Sequence, residues 1–398
     1  MNRRQFTTSL LAAGLWGKLA TSAEIPPDLK ITRAVGFDLH TTRPKYVGRN
    51  ANRGENGRKS YEKMVRLWTN VGVEAIGRCW RPEKDLAQIV GTNPFADFDL
   101  SSRRIESPLG PRTMILWDLL GRLLNKPVYQ LLGDAKSDRT PVYDGSIYFS
   151  DLIPKHANRW QDRFREEIDL SLDMGHRFFK LKVGRGHKWM KGEAGHRRDI
   201  EVVKLVREHA GEKVGIGVDA NNTFGPDHAR RFLKETADCK LDFLEEPFPE
   251  KVEPCVALKE FIKDEGLNTL LADGEGTSHV EQFRPLVEAK AVDVLQGDMY
   301  GLGIEGIMAE SALAAPAGIQ IAPHNWSSLL SIYMQAHVGL VLPNFYRAEH
   351  DPLSSDLLIA DGYEIKDGHI TVPDAPGFGL RLDEKRFANA KVNFDLRA

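Results

Sequence analysis

The sequence predicts an α/β fold, a closed barrel of parallel strands and outer helices preceded by an α+β domain. Two observations carry this expectation. From Pro141 onward short apolar strands alternate with helical segments, the pattern of parallel pairing. Eight such strands recur before Glu349, the number that closes a β/α barrel. Size agrees, because 398 residues with 41% hydrophobic content can build a large core and more than one folding unit. An open doubly wound sheet is the alternative. It is weakened because no Gly-x-Gly-x-x-Gly turn opens a helix after the first strand.

The chain opens Met1-Asn2-Arg3-Arg4-Gln5-Phe6, followed by a short apolar run over 9–16 and small residues at Ala20, Thr21, Ser22 and Ala23. A basic start, a short apolar stretch and a small-residue cleavage zone read as a secretory signal over 1–24. Arg3-Arg4 with Phe6 resembles the twin-arginine signal of bacteria, so export to the periplasm is expected. Residues 28–135 are read as a capping α+β domain. Within it, 65–77 alternates like a hairpin around Val71-Gly72. The polar stretch 41–60 holds Arg43, Lys45, Arg49, Arg53, Arg58 and Lys59 and is expected to be a long loop. Behind Pro111, residues 114–124 place Met114, Leu116, Trp117, Leu120, Leu123 and Leu124 at the spacing of a buried helix.

The barrel is expected over 140–355, with strands beginning near Pro141, Phe178, Val214, Leu241, Thr269, Val292, Ile319 and Phe345. Helices are expected between them, for example over 198–209, 229–237 and 304–315. After Asp361 a second hairpin turns at Asp367-Gly368, and the segment 360–398 is expected to return to the capping domain.

Composition excludes several functions. Lys+Arg number 54 and Asp+Glu 56, so no net field draws in nucleic acid. No apolar run approaches the roughly 18 residues of a membrane span. Cys79, Cys239 and Cys255 form no Cys-x-x-Cys pair, which argues against a disulfide framework and a cysteine-ligated zinc.

Barrel enzymes hold their chemistry at the C-terminal ends of the strands. Here those ends read Lys180-Leu-Lys182, Asp219-Ala-Asn221, Glu245-Glu246, Asp273-Gly-Glu275, Asp298, His324 and Glu349. Asp219, Glu245 and Glu275 are 26 and then 30 residues apart, one β/α unit each, so their oxygens can meet. Three carboxylates without cysteine suit Mg²⁺, with Mn²⁺ as the alternative. Glu246 and Asp273 are competing ligands, but strand alternation turns only one of each neighbouring pair inward. A rim of salt bridges is the bland alternative. Lys180 and Lys182 share a face, and mutual repulsion beside a metal is expected to lower their pKa values, leaving one free to act as a base. Asp298 and His324 can form a carboxylate–imidazole pair, a second acid/base. Glu349 can hydrogen-bond a developing oxyanion. Asn221, Arg43 and Lys45 are candidates for binding the substrate, the last two because a basic loop favours a polyhydroxylated anion.

Together these motifs resemble the enolase superfamily, in its mandelate racemase and muconate lactonizing enzyme family and the mandelate racemase subgroup. Ile115-Leu-Trp-Asp118-Leu-Leu-Gly121, Pro127, Leu132-Gly133 and Val372-Pro-Asp-Ala-Pro-Gly-Phe-Gly379 add to the resemblance, which runs from 28 to 385. It implies a modified TIM barrel, (β/α)7β, whose α+β cap is completed by the C-terminus. It implies Mg²⁺ on Asp219, Glu245 and Glu275, and removal of the proton alpha to a carboxylate through an enediolate. Lys182 would be one base and His324 with Asp298 the other. Lys180 would neutralise the substrate carboxylate, and Glu349 would bond its second oxygen. The segment 184–195 extends the minimal pattern and is expected to shape the pocket.

The expected substrate is a small carboxylate, and the expected reaction is dehydration of a sugar acid, aldonate or aldarate, to a 2-keto-3-deoxy acid. Racemisation or epimerisation of a 2-hydroxy acid is the first alternative, since it begins with the same proton abstraction. A noncatalytic exported binder of acid sugars is the second. A homo-oligomer is expected, with no nucleic acid and no membrane span.

Overall fold

The computed structural model describes residues 25–79 and 83–398. The signal read over 1–24 lies outside the described residues. The N-terminal region is an antiparallel sheet of β1 (Ile31–Val47), β2 (Gly57–Thr69) and β3 (Glu74–Arg78), with the helix Met114–Leu123 against it.

Most of 41–60 is therefore strand, which corrects the expected loop. The burial pattern explains why. From Phe37 to Val47 every second residue of β1 is buried, so the period of a half-buried strand runs on through Thr41, Arg43 and Lys45. Two cations can occupy inward positions because each meets a buried carboxylate. Arg43 donates to both oxygens of Asp351 at 2.7 and 2.6 Å, and Lys45 Nζ lies 2.9 Å from Glu167 Oε2.

The barrel follows as β4 (Arg139–Ile147), β5 (Phe178–Lys182), β6 (Gly215–Asp219), β7 (Phe243–Glu245), β8 (Leu270–Asp273), β9 (Val294–Leu295), β10 (Gln320–Ile321) and β11 (Ala348–His350). Each strand pairs in parallel with the next from β4 to β10, and β11 pairs back with β4. A bridge from Ile321 to Phe345 closes the ring. Helices Trp160–Asp173, Gly192–Ala210, Pro226–Glu235, Val252–Asp264, Arg284–Glu288, Met299–Ala314 and Leu329–Val341 fill the seven connections, giving (β/α)7β.

Beyond the barrel, β12 (Leu358–Ile359) precedes β13 (Ile365–Lys366), β14 (His369–Thr371), β15 (Arg381–Leu382) and β16 (Val392–Arg397). β12 pairs with β15 in a small sheet of its own. The hairpin does form around Asp367-Gly368, but it docks on the barrel, with β14 antiparallel to β4. The return expected of the segment 360–398 is therefore not made by the hairpin. The return is made later, by β16, which adds to the free edge of β1. The hairpin leans inward because Ile370 is buried beside Val142 and Ala348.

The barrel interior is layered by the strand period of two. Phe178 and Phe243 stack with ring centroids 5.6 Å apart, and Tyr143 lies 5.9 Å from each. Gly217 is needed beside them: a Cβ there would come within 2.3 Å of the Phe243 ring. Two residues further along the same strands stand Lys180, Asp219 and Glu245. A dry aromatic layer thus underlies a charged one. Among the described residues no helix is long and apolar enough to cross a membrane.

Candidate active site

Parallel register brings the strand ends together: Lys182 is level with Asp219, and Asp219 with Glu245. Ligand oxygens of Asp219, Glu245 and Glu275 lie within 4.8 Å of one another. Asp219 Oδ1 accepts the Asn221 backbone N–H at 2.7 Å, and Glu245 Oε2 accepts from Gln296 Nε2 at 2.6 Å. Glu275 Oε2 stands 3.3 Å from His324 Nε2 yet accepts no hydrogen bond. Glu246, the competing ligand, faces Asn222 Nδ2 at 2.7 Å; burial and then Glu275 and Asp219 push its carboxyl up to about 8. Asp273 bonds the Gly274 N–H at 2.8 Å. Neither joins the triad.

Both lysines lie among these carboxylates. Lys180 Nζ is 2.6 Å from Glu245 Oε1, 2.7 Å from Glu349 Oε1 and 3.7 Å from Asp219 Oδ2. Lys182 pairs with Asp219 and sits 5.2 Å from the Tyr148 ring. Burial pulls both ammonium groups down, but the carboxylates outweigh it. Glu245 and Glu349 raise Lys180, and Asp219 raises Lys182. Within the protein, the nearest charges to both lysines are carboxylates, which favour the protonated form. Asp219 responds in the opposite sense: burial raises its pKa, Lys182 and Lys180 lower it more, and it is held at about 2.

His324 Nδ1 lies 2.8 Å from Asp298 Oδ2, so the dyad forms. Asp298 is itself fixed as the N-cap of the helix Met299–Ala314, accepting the Gly301 N–H at 2.5 Å. Burial lowers the His324 pKa, but Glu275 and the Asp298 bond raise it to about 10. Glu349 is held by the Asn325 N–H at 2.8 Å and by Lys180. Gly145 makes room for it, since a Cβ there would meet Glu349 Oε1 at 2.4 Å.

The candidate substrate binders divide. Asn221 stands at the triad, its Nδ2 3.3 Å from Asp219 Oδ2. Arg43 and Lys45 are engaged by Asp351 and Glu167, and only Arg43 approaches the mouth, 4.6 Å over the Trp326 ring. The segment 184–195 holds a helical turn, Arg185–Lys188, and ties to the cap through Trp189 Nε1 and the Asn50 carbonyl at 2.7 Å. Sequence reasoning missed the stacked pair Tyr148 and Trp326, 4.5 Å apart. The available signal was their position, each an aromatic just past a strand end beside Lys182 or His324.

The residues suit a divalent cation. All three donors of the triad are carboxylate oxygens, which favours a hard ion. Around them five carboxylates (Asp219, Glu245, Glu275, Asp298, Glu349) face Lys180, Lys182 and His324. With all ionised, that leaves an excess of two negative charges in a buried place.

Comparison with known proteins agrees with this geometry. The enolase C-terminal domain-like family matches residues 163–386. The arabinonate dehydratase of Saccharolobus solfataricus is 29% identical over 279 residues, 69% of this chain and 70% of that protein. The D-xylonate dehydratase of Haloferax volcanii is 27% identical over 356 residues, 80% of this chain and 83% of that one. Among solved structures, a galacturonate dehydratase from Geobacillus sp. with D-galacturonate superposes with a TM-score of 0.85 at 29% identity, covering 92% of this chain and 97% of that one. A mandelate racemase/muconate lactonizing protein from Geobacillus sp., complexed with magnesium and tartrate, gives 0.85 at 28% identity, covering 94% and 98%. The chain belongs to the enolase superfamily, in its mandelate racemase and muconate lactonizing enzyme family.

Proposed function

We propose that the protein dehydrates a sugar acid, an aldonate or aldarate, to a 2-keto-3-deoxy acid. The observation that carries this reading is that two groups able to act as acid or base flank different members of one carboxylate triad, Lys182 beside Asp219 and the His324–Asp298 pair beside Glu275. The named dehydratases among its relatives support the choice of reaction.

Asp219, Glu245 and Glu275 would hold Mg²⁺. Bound there, the ion supplies positive charge to the substrate carboxylate and offsets the field that keeps Lys182 protonated. Lys182 takes the proton alpha to the carboxylate, and Lys180 and Glu349 orient that carboxylate's oxygens. His324 gives a proton to the β-hydroxyl as its C–O bond breaks and water leaves. Asp298 keeps the imidazole oriented with Nε2 toward the substrate. The enol that remains gains a proton at the former β-carbon and becomes the keto acid.

The test follows keto-acid release and solvent deuterium uptake together on a panel of sugar acids with Mg²⁺. Wild type should release keto acid. His324→Asn should stop that release while Lys182 still exchanges the alpha proton. Lys182→Met should stop the exchange, and each loss should be about 10²–10⁴-fold. Inversion of the alpha centre without keto acid would make the protein a racemase instead. Near-normal rates in both variants would defeat the mechanism.

Two further expectations belong to this reading. Export through the Arg3-Arg4 signal is tested by locating wild type and an R3K/R4K variant by cell fractionation. A homo-oligomer is tested by sedimentation.

A further inference from the structure

The barrel has a cavity at the end away from the triad. It has a volume of about 590 Å³ and lies among the first residues of β5, β6, β7 and β8 and the Asp367-Gly368 turn. The aromatic layer of Tyr143, Phe178 and Phe243 separates it from the charged layer above. No part of the proposed reaction uses it.

Its walls are rich in cations. Arg177, Arg207, Lys213, Lys240 and Arg347 line it, against Glu212, Asp242 and Asp367. Two of the basic groups have loose partners: Arg177 is 3.6 Å from Asp367, and Lys240 is 3.6 Å from Glu212. Arg207 is occupied by backbone carbonyls, those of Val214 at 2.6 Å and Cys239 at 2.8 Å among them. Its charge is answered only at longer range, by Asp242, whose carboxyl burial raises and Arg347 and Arg207 lower. Asp242 is partly engaged as well, its Oδ2 accepting the Ile216 N–H at 2.7 Å.

Arg347 is the decisive residue. Its guanidinium lies 4.6 Å over the Phe178 ring and 5.2 Å over Tyr346, and its buried Nε has no hydrogen-bond acceptor. Among the described residues neither Arg347 nor Lys213 forms an ion pair within 4.0 Å; Arg347 hydrogen-bonds Tyr346 and shares the field of Asp242. A planar donor fork held in place by aromatic rings, with other positive charge around it, is the arrangement that recognises phosphate or carboxylate. An apolar or cationic ligand would leave that charge unanswered.

We propose that this basal cavity is a binding site for a small oxyanion, a phosphate- or carboxylate-bearing metabolite, contacted by Arg347 and Lys213 in the field of Arg207. It is independent of the substrate at the other end.

The test uses the Mg²⁺-loaded full chain and two probes, inorganic phosphate and succinate, titrated by calorimetry at constant ionic strength. At least one probe should bind saturably. Lys213→Glu and Arg347→Gln should each weaken that binding tenfold or more, while Lys182→Met at the opposite end should not. Saturation by phosphate alone assigns a phosphorylated ligand, and by succinate alone a carboxylate. Lys213 is exposed and, among the described residues, forms no ion pair, so its variant decides the matter even if Arg347→Gln fails to fold. Absence of saturable binding by both probes, or binding that both folded variants retain, overturns the proposal.

Discussion

Two buried ion clusters lie side by side above the barrel, and they differ in balance. In one, Arg185 bonds Asp199 at 2.6 Å and Asp151 at 2.9 Å, and Arg198 adds a contact to Asp151 at 3.3 Å. Two cations meet two carboxylates, and Asp199 also takes the Gly184 N–H at 2.8 Å. In the other, whose Lys182 stands only three residues before Arg185 in the chain, the anions outnumber the cations and Glu275 keeps an oxygen without a hydrogen bond. The closed cluster fixes the backbone that leaves β5. The open one is suited to receive something charged. Burial alone therefore does not mark a functional ion cluster; the unbalanced remainder does.

Removing one partner should break the closed cluster most severely. Arg185→Met leaves two carboxylates buried without their counter-charge and should lower unfolding stability by about 3–5 kcal/mol. Urea denaturation reads this directly, and a loss below 1 kcal/mol would mean that the cluster is not the structural tie described here.

The open cluster should respond to metal. At about 100 times its Kd, Mg²⁺ should stabilise wild type by about 2.7 kcal/mol. Asp219→Asn should lose most of that gain while the metal-free variant remains folded. Equal stabilisation of both proteins would remove Asp219 from the ligand set.

The last effect is the most specific. With His324 raised from 6.5 to about 10, its protonated form contributes stability that is complete below 6.5 and lost as pH rises through about 10. Glu275 is the chief group that raises it. Mg²⁺ engaging Glu275 should therefore lower the imidazole pKa and move the loss to lower pH. An NMR titration of His324 with and without Mg²⁺ checks the sign, and an unchanged midpoint would separate His324 from the metal site.

The site was legible because barrel strands end in one mouth. Asp219, Glu245 and Glu275 could be grouped from one-unit spacings, and Asp298 with His324 from adjacent strands. What escaped were features decided by long-range partners. Arg43 and Lys45 read as loop residues, since their polarity hid a strand period that only Asp351 and Glu167, hundreds of residues or one domain away, make tolerable. The carboxylate partners of Lys180 also depend on long-range packing, because Glu245 and Glu349 come from other strands. The hairpin at Asp367-Gly368 was visible as a local turn. Its docking on β4 was not, because edge pairing leaves little trace in a short strand.

The aromatic layer beneath Lys180 has a kinetic consequence. With Tyr143, Phe178 and Phe243 filling the barrel below, the well holding Lys182 is closed at its base. On the proposed mechanism, a proton taken from substrate by Lys182 then has two fates: return to the same carbon, or loss to water through the mouth. The ratio of the two clocks the mouth itself. Internal return of tritium from alpha-labelled substrate would measure how long Lys182 keeps the proton from exchanging with water, and opening the floor with Phe243→Ala should lower that ratio without touching any charged group.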